Sequence, residues 1–267
     1  MPTASTFTLA PGIEGQPAIR HLLLNDLSVS LREGWADFME IPTQLAFLGV
    51  IYPVVGLLAA RVANGGQVLP LFFPLVAGLS LLGPVLAVGL YELSRRREAG
   101  LPVSWRNAFD VFRSPALPAI AALGVMLLVL FCCWIASARL IYIATIGETA
   151  RDMAPGSLSD FIELIQGSPH AIALIVLGNL AGAAFAAIVL TVSAVSFPMV
   201  LDRHVSPRVA VETSFRVVRA NPRVMALWGL TVVAVLALGS IPLFVGLAIA
   251  MPVLGHATWH LYRRAVN

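Results

Sequence analysis

Long apolar runs alternate with short amphipathic stretches along most of this chain, and the alternation predicts its elements. Apolar runs occupy 42–62, 68–93, 116–146 and 171–201. Each is long enough to cross a hydrocarbon core of about 30 Å at 1.5 Å per residue. Asn64-Gly65-Gly66 separates the first two as a turn. After Arg223 no formally charged residue occurs before Arg263. One helix of that length would measure about 60 Å, so the segment must fold back, and Gly239-Ser240-Ile241-Pro242 is the natural turn. The pattern predicts an all-α, polytopic membrane protein with six transmembrane helices arranged as three hairpins.

A short amphipathic interfacial helix is expected before each hairpin. In the first, Ser30 and Glu33 form a capping box at the start of 30–41, with Leu31, Trp35, Phe38 and Met39 opposite Arg32, Glu33, Asp37 and Glu40. In the second, Ser104 caps a segment whose Trp105, Ala108, Phe109 and Phe112 share a face. In the third, Ser206-Pro207 supplies a cap and a first-turn proline, with Val211, Phe215 and Val218 opposite Arg208, Glu212, Arg216 and Arg219. Pro42, Pro115 and Pro222 then mark three entries into the membrane, which gives hairpin units at about 30–97, 104–203 and 206–264 within a single domain, 21–264. Residues 1–20, rich in Pro, Thr, Gly and Ala and without the basic and apolar regions of a signal peptide, read as a flexible tail. In the loop between the two long middle runs, Ser157 and Asp160 are expected to cap a small helix with Leu158, Phe161, Ile162 and Ile165 on its apolar side.

An internal repeat supports the hairpin plan. Slid by 168 positions, Pro84, Val85, Leu86, Leu93, Arg95 and Arg96 fall on Pro252, Val253, Leu254, Leu261, Arg263 and Arg264, and Tyr91 falls on Trp259. Both stretches read as apolar helices leaving a bilayer through an aromatic collar into a basic surface.

Composition agrees. Of 267 residues, 58% are hydrophobic and only 12% charged, with mean hydropathy +0.88, too few charges to cover a soluble domain. All seventeen basic residues are arginine. With the amphipathic helices on one side, fourteen arginines lie there against Arg61, Arg139 and Arg151 opposite, which predicts that both termini lie in the cytoplasm. The basic face then meets anionic lipid headgroups and calls for no nucleic-acid partner. Cys132 and Cys133, adjacent in an apolar run, read as small hydrophobes.

Candidate chemistry is sparse. His256 and His260 stand at i and i+4 on one helix face, a spacing that lets two imidazoles share a divalent metal. Glu92 holds in the first hairpin the place His260 holds in the last and could add a carboxylate. The plainer alternatives are histidines that reach headgroups or water and a Glu92 paired with Arg95 and Arg96. Haem is disfavoured, because adjacent turns of one helix cannot ligate its two faces. Asn179, between Gly178 and Gly182, is expected at a close helix contact with an interhelical hydrogen bond. Arg139 is expected to snorkel to the outer surface. No phosphate-binding glycine loop with lysine, no Gly-x-Ser-x-Gly elbow and no arginine-studded voltage sensor occurs, so no enzyme is expected and no cofactor is predicted.

Asn25-Asp26-Leu27, Ser30 to Phe38, Gly83-Pro84, Gly89 to Arg95, Leu201-Asp202-Arg203 and Gly255 to Arg263 together resemble the DUF2189 family over about 18–264. The resemblance implies a bacterial integral membrane protein of the inner membrane; some family members carry a cytochrome c oxidase label. The function expected is a structural or accessory protein packing with membrane lipids or a membrane complex. The alternatives are a small-molecule transporter and a metal-handling or respiratory-oxidase accessory protein.

Overall fold

The computed structural model describes residues 17–41, 74–75, 83–147, 158–242 and 244–267. The run 42–62, the turn at Asn64-Gly65-Gly66 and the Ser157 cap lie outside them. The described chain is all-helical apart from one isolated bridge. Its helices are α1 (Leu24–Glu40), α2 (Gly83–Leu86), α3 (Val88–Glu98), a 3-10 helix (Trp105–Arg113), α4 (Leu117–Thr145), α5 (Leu158–Gly167), α6 (Ala171–Ser193), α7 (Ser196–Arg203), α8 (Pro207–Ala220), α9 (Pro222–Ser240) and α10 (Leu247–Ala265).

Three of these are long and apolar enough to cross a membrane: α4, the continuous stretch Ala171–Arg203 made by α6 and α7, and α9. The turn after Ser240 falls where the sequence places it. Between α6 and α7 the helix is interrupted. Pro198 lacks an N–H for the Ala194 carbonyl. The Ser214 hydroxyl enters the break from α8, accepting from Val195 N–H at 3.3 Å and donating to Thr191 O at 2.7 Å. It thereby replaces the direct bond between Val195 and Thr191 that an unbroken helix would make.

The short polar helices differ from their sequence reading in detail. α1 begins at Leu24, six residues before the expected cap. Asp26 accepts from Leu23 N–H at 2.7 Å and so performs the capping, while Ser30 is fully buried in mid-helix. Its inner face is Leu27, Ser30, Gly34, Asp37 and Phe38, whereas Trp35 and Met39 are exposed. The second polar helix is 3-10, with Asn107 accepting from Ser104 N–H at 2.9 Å. Its i, i+3 register aligns Phe109 with Phe112, rings 6.4 Å apart and stacked. α8 starts as expected, with Ser206 Oγ accepting from Val209 N–H at 3.4 Å, but it buries Ala210, Thr213, Ser214 and Val217 and leaves Phe215 exposed. In α5, Ile162 is exposed and Leu164, not part of the expected stripe, is buried.

The packing has a cyclic order. α1 lies on α10, the 3-10 helix on α3, and α8 on α6 and α7, while α3, α7 and α10 touch one another at the centre. Leu93, Leu201 and Leu261 are buried there, together with Tyr91, Phe197 and Trp259. Tyr91 and Trp259 therefore belong to the core and not to a lipid-facing collar. The collar expectation fails because neighbouring helices cover both rings before lipid can. The N-terminal stretch is tied in as well: Arg20 N–H donates to Ala265 O at 3.0 Å, and Leu22 N–H to Asn221 Oδ1 at 2.7 Å. Residues 17–20 are thus paired with the C-terminus, which corrects the tail boundary expected at 20.

α1 meets α10 at very short range. A Cβ on Gly34 would sit 2.6 Å from Ala257 N and 2.7 Å from Val253 O, so only glycine allows this approach. From Val253 onward α10 is consequently enclosed by the charged helices α1 and α3 rather than by lipid.

Candidate functional site

The close approach at Gly34 carries Asp37 into the protein, where it is 2% exposed, and brings four side chains around it. Ser94 Oγ donates to Asp37 Oδ2, Arg97 pairs with Oδ1, and His260 Nε2 donates to Oδ2 at 2.9 Å. His256 Nδ1 lies 2.7 Å from Ser94 Oγ. A hydroxyl has one proton to give. Since Ser94 gives it to Asp37, His256 Nδ1 is the protonated nitrogen and donates to Ser94. Its Nε2 is left as a buried acceptor without a partner among the described residues.

These environments set the charges. Burial opposes ionisation of Asp37, but hydrogen bonds from His260, Ser94 and Arg97 hold its carboxyl down at about 2. His256 has no exposed surface, and its Nδ1 lies 3.8 Å from Asp37 Oδ2. The order of the three groups is not that of a Ser–His–Asp triad. A serine nucleophile needs an exposed Oγ bonded to a histidine that a carboxylate orients from its other nitrogen. Here Ser94 is fully buried and stands between the other two.

The sequence candidates are redistributed accordingly. His256 and His260 share a face as expected, but His256 is 0% exposed and reaches neither headgroups nor water. The carboxylate that joins them is Asp37, not Glu92. Glu92 is held by Arg95 through two contacts of 2.8 Å and lies 3.8 Å from Arg96. Among the described residues no three His, Cys, Asp or Glu side chains converge as a metal site would require. Asn179 is exposed and donates to Ile175 O of its own helix at 2.8 Å, so the expected interhelical bond is replaced by an internal one. A Cβ on Gly182 would meet the Trp134 ring of α4 at 3.3 Å, whereas Gly178 faces open space. Arg139 is exposed near the end of α4, and the acidic positions 148 and 152 lie outside the described residues. Cys132 and Cys133 are both exposed on the same apolar helix.

Two clefts open at this polar end. One, of about 520 Å³, lies beside the Asp37 cluster between α1, α3 and α10, with Glu33, Asp37, Arg97, Glu98, His260, Arg263 and Arg264 around it. Every arginine in it has a carboxylate: Arg97 has Asp37 and Glu40, Arg264 has Glu33 at 2.7 Å, and Arg263 has Glu98 at 3.0 Å. The other, of about 390 Å³, lies between the 3-10 helix, α7 and α3. Glu92, Arg95, Arg96, Asp110, Arg113 and His204 line it, and Arg96 reaches Asp110 at 3.1 Å. His204 closes α7 in the left-handed conformation, φ 52°. Sequence reasoning missed Asp37, Ser94, Arg97 and this second cleft. The one available signal was the Arg95-Arg96-Arg97 run, read as a basic surface.

Residues 72–202 match the model of DUF2189, described as a predicted integral membrane protein. Over these 131 of 267 residues the chain is similar to the DUF2189 family. No curated protein and no solved structure matches the chain. The DUF2189 match takes in α2 to α6 and α7 up to Asp202, and therefore the two walls of the 390 Å³ cleft made by α3 and the 3-10 helix. It does not reach the Gly255 to Arg263 block, so the cluster takes Ser94 and Arg97 from inside the matched stretch and Asp37, His256 and His260 from outside it.

Proposed function

We propose that this is a structural or accessory protein of the bacterial inner membrane, without catalytic activity, whose polar collar seats on the anionic lipid surface of the cytoplasmic side. The observation that carries the reading is the outer face of the 3-10 helix. Trp105, Phe109 and Phe112 are all exposed there, Arg106 and Arg113 flank them, and the span α4 begins four residues later. Large aromatics with arginines, placed where a transmembrane helix starts, suit the headgroup region and suit water badly. A role outside catalysis is supported by the buried Ser94 and by the closed ion pairs beside Asp37.

The finer architecture in this proposal is six spans in three hairpin units arranged around an axis along the membrane normal. The cyclic packing supports it: each polar helix rests on the second helix of the preceding unit, and α1 closes the circle on the last. So does the register of the central helices, where Leu93-Ser94-Arg95, Leu201-Asp202-Arg203 and Leu261-Tyr262-Arg263 each place a buried leucine two residues before an arginine.

A nitroxide at Phe109→Cys, with Cys132 and Cys133 replaced by alanine and the protein in vesicles containing anionic phospholipid, tests the reading. Its accessibility to oxygen over a water-soluble nickel chelate should place it at headgroup depth. Exposure to the chelate equal to that of a label at Arg208→Cys would overturn it. In intact cells, an impermeant thiol reagent should spare Ser104→Cys and Ser206→Cys, and labelling of either would reverse the orientation.

A further inference from the structure

The 390 Å³ cleft contains more positive than negative charge. Arg95, Arg96 and Arg113 face two carboxylates, Glu92 and Asp110. Arg95 occupies Glu92 through two hydrogen bonds, and Arg96 uses Nη1 on Asp110. Asn107 also donates to that Asp110 oxygen at 2.8 Å. Among the described residues Arg113 then has no hydrogen-bonding or ion-pairing partner, and the buried Arg96 Nε–H has no acceptor. His204 adds an exposed imidazole to the same cleft.

We propose that this cleft binds a phosphate group through Arg113, Arg96 and His204. Donors from three separate elements suit a tetrahedral oxyanion better than a planar carboxylate, which one arginine fork satisfies alone. The place in the fold suggests the source. Ser114 and Pro115 line the cleft just before α4 begins, and Leu201 lines it where the Ala171–Arg203 span ends. Two candidate spans terminate here, which on the collar reading is the depth where phospholipid phosphates lie. The same chemistry would accept a free phosphate from solution, and the test separates the two.

The inference extends the collar reading but can fail separately from it. Position 109 can sit at headgroup depth above an empty cleft, and the cleft can hold phosphate with position 109 in water. The full chain, delipidated in a nonionic detergent, is titrated calorimetrically with short-chain phosphatidylglycerol, with phosphatidylcholine of equal chain length, and with inorganic phosphate. One phosphatidylglycerol per protein is expected, bound at least tenfold more tightly than phosphatidylcholine and displaced by inorganic phosphate. Arg113→Gln should weaken it at least tenfold and Arg113→Glu should abolish it. Arg208→Gln, which removes an exposed charge on α8, should leave it unchanged. Inorganic phosphate bound as tightly as the lipid, and equally dependent on Arg113, supports the site with free phosphate as its ligand. Binding of neither anion overturns the proposal, as does an Arg113→Gln protein that is folded and binds like wild type. Equal losses in Arg113→Gln and Arg208→Gln also overturn it, because they would mean diffuse attraction to a basic surface.

Discussion

The two clefts at the polar end are built from corresponding parts and are charged differently. Each has one wall from a polar helix, α1 or the 3-10 helix, and two from central helices that follow one another in the cyclic packing. Glu92, Arg95 and Arg96 in one stand at the register of His260, Arg263 and Arg264 in the other. In the cleft beside α1, three arginines meet Glu33, Asp37 and Glu98 and are neutralised by the protein itself. In the cleft beside the 3-10 helix the third acid is missing and one arginine is left over. The difference follows from how closely the polar helix can approach. Gly34 lets α1 press its own carboxylate into the structure. The 3-10 helix, with Ala108 against Gly89 as its contact, keeps its aromatics outward and its cleft open. One site is a latch closed by folding, and its counterpart remains available to an outside anion.

The comparison breaks most completely at Asp37. Asp37→Ala takes the buried carboxylate from Arg97 and His260, which keep only the more exposed Glu40 and Glu33, and removing one partner of a buried pair costs about 3–5 kcal/mol. The thermal midpoint in detergent should fall by roughly 10 °C, since a domain of this size loses about 2–4 °C per kcal/mol. A midpoint within a degree of wild type would show that the cluster is not a latch.

Acid should act on the same site. Asp37, with its folded value at about 2 against 3.8, contributes stability that is present above 3.8 and is lost as pH falls toward 2. Thermal melts from about pH 5 to 2 should therefore slope downward in the wild type and flatten in Asp37→Asn. An equal slope in both would assign the acid effect to other groups.

A smaller effect is expected from Gly34→Ala. Its methyl would contact backbone atoms of Ala257 and Val253, which cannot rotate away, so α1 must lift from α10 at about 1–3 kcal/mol. Amide exchange should accelerate in 24–40 and in 253–265 while 105–113 is unchanged. Faster exchange across all three would mean that the two clefts are not independent.

What could be read from the sequence divides along the same line. The helix starts after Pro115 and at Pro222, the fold-back near Ser240 and the Ser206 cap are local signals, and each appears where the pattern places it. The Asp37 cluster is not local. Ser94 is 57 residues from Asp37 and His260 is 223 residues away, so periodicity could assign Asp37 only to the polar face of an amphipathic helix. Repeat register alone points to Glu92 as the histidines' partner. The adjacent Arg95 captures it, as i, i+3 geometry favours, and the acid that reaches the histidines comes from a helix packed by a glycine. Tyr91 and Trp259 mislead for a related reason, because an aromatic beside arginines looks alike in sequence whether lipid or protein covers it.

The smallest expected change in stability sharpens the comparison further. Asp110 is the acid of the open cleft, about one-third exposed, and its bond to Arg96 is partly in water. Pairs of that kind contribute about 0–1 kcal/mol, so Asp110→Asn should move the thermal midpoint by no more than about 3 °C. The same change removes one of the two negative charges in a cleft that already has three arginines, and it frees Arg96 Nη1 for an incoming oxyanion. Phosphate or phosphatidylglycerol should bind several-fold more tightly to Asp110→Asn than to wild type. Glu33→Gln in the neutral cleft, where Arg264 loses its partner at 2.7 Å, should have no such effect on anion binding. If Glu33→Gln increases anion binding as much as Asp110→Asn does, the surplus charge belongs to the whole polar end and the two clefts do not differ in their capacity for an anion.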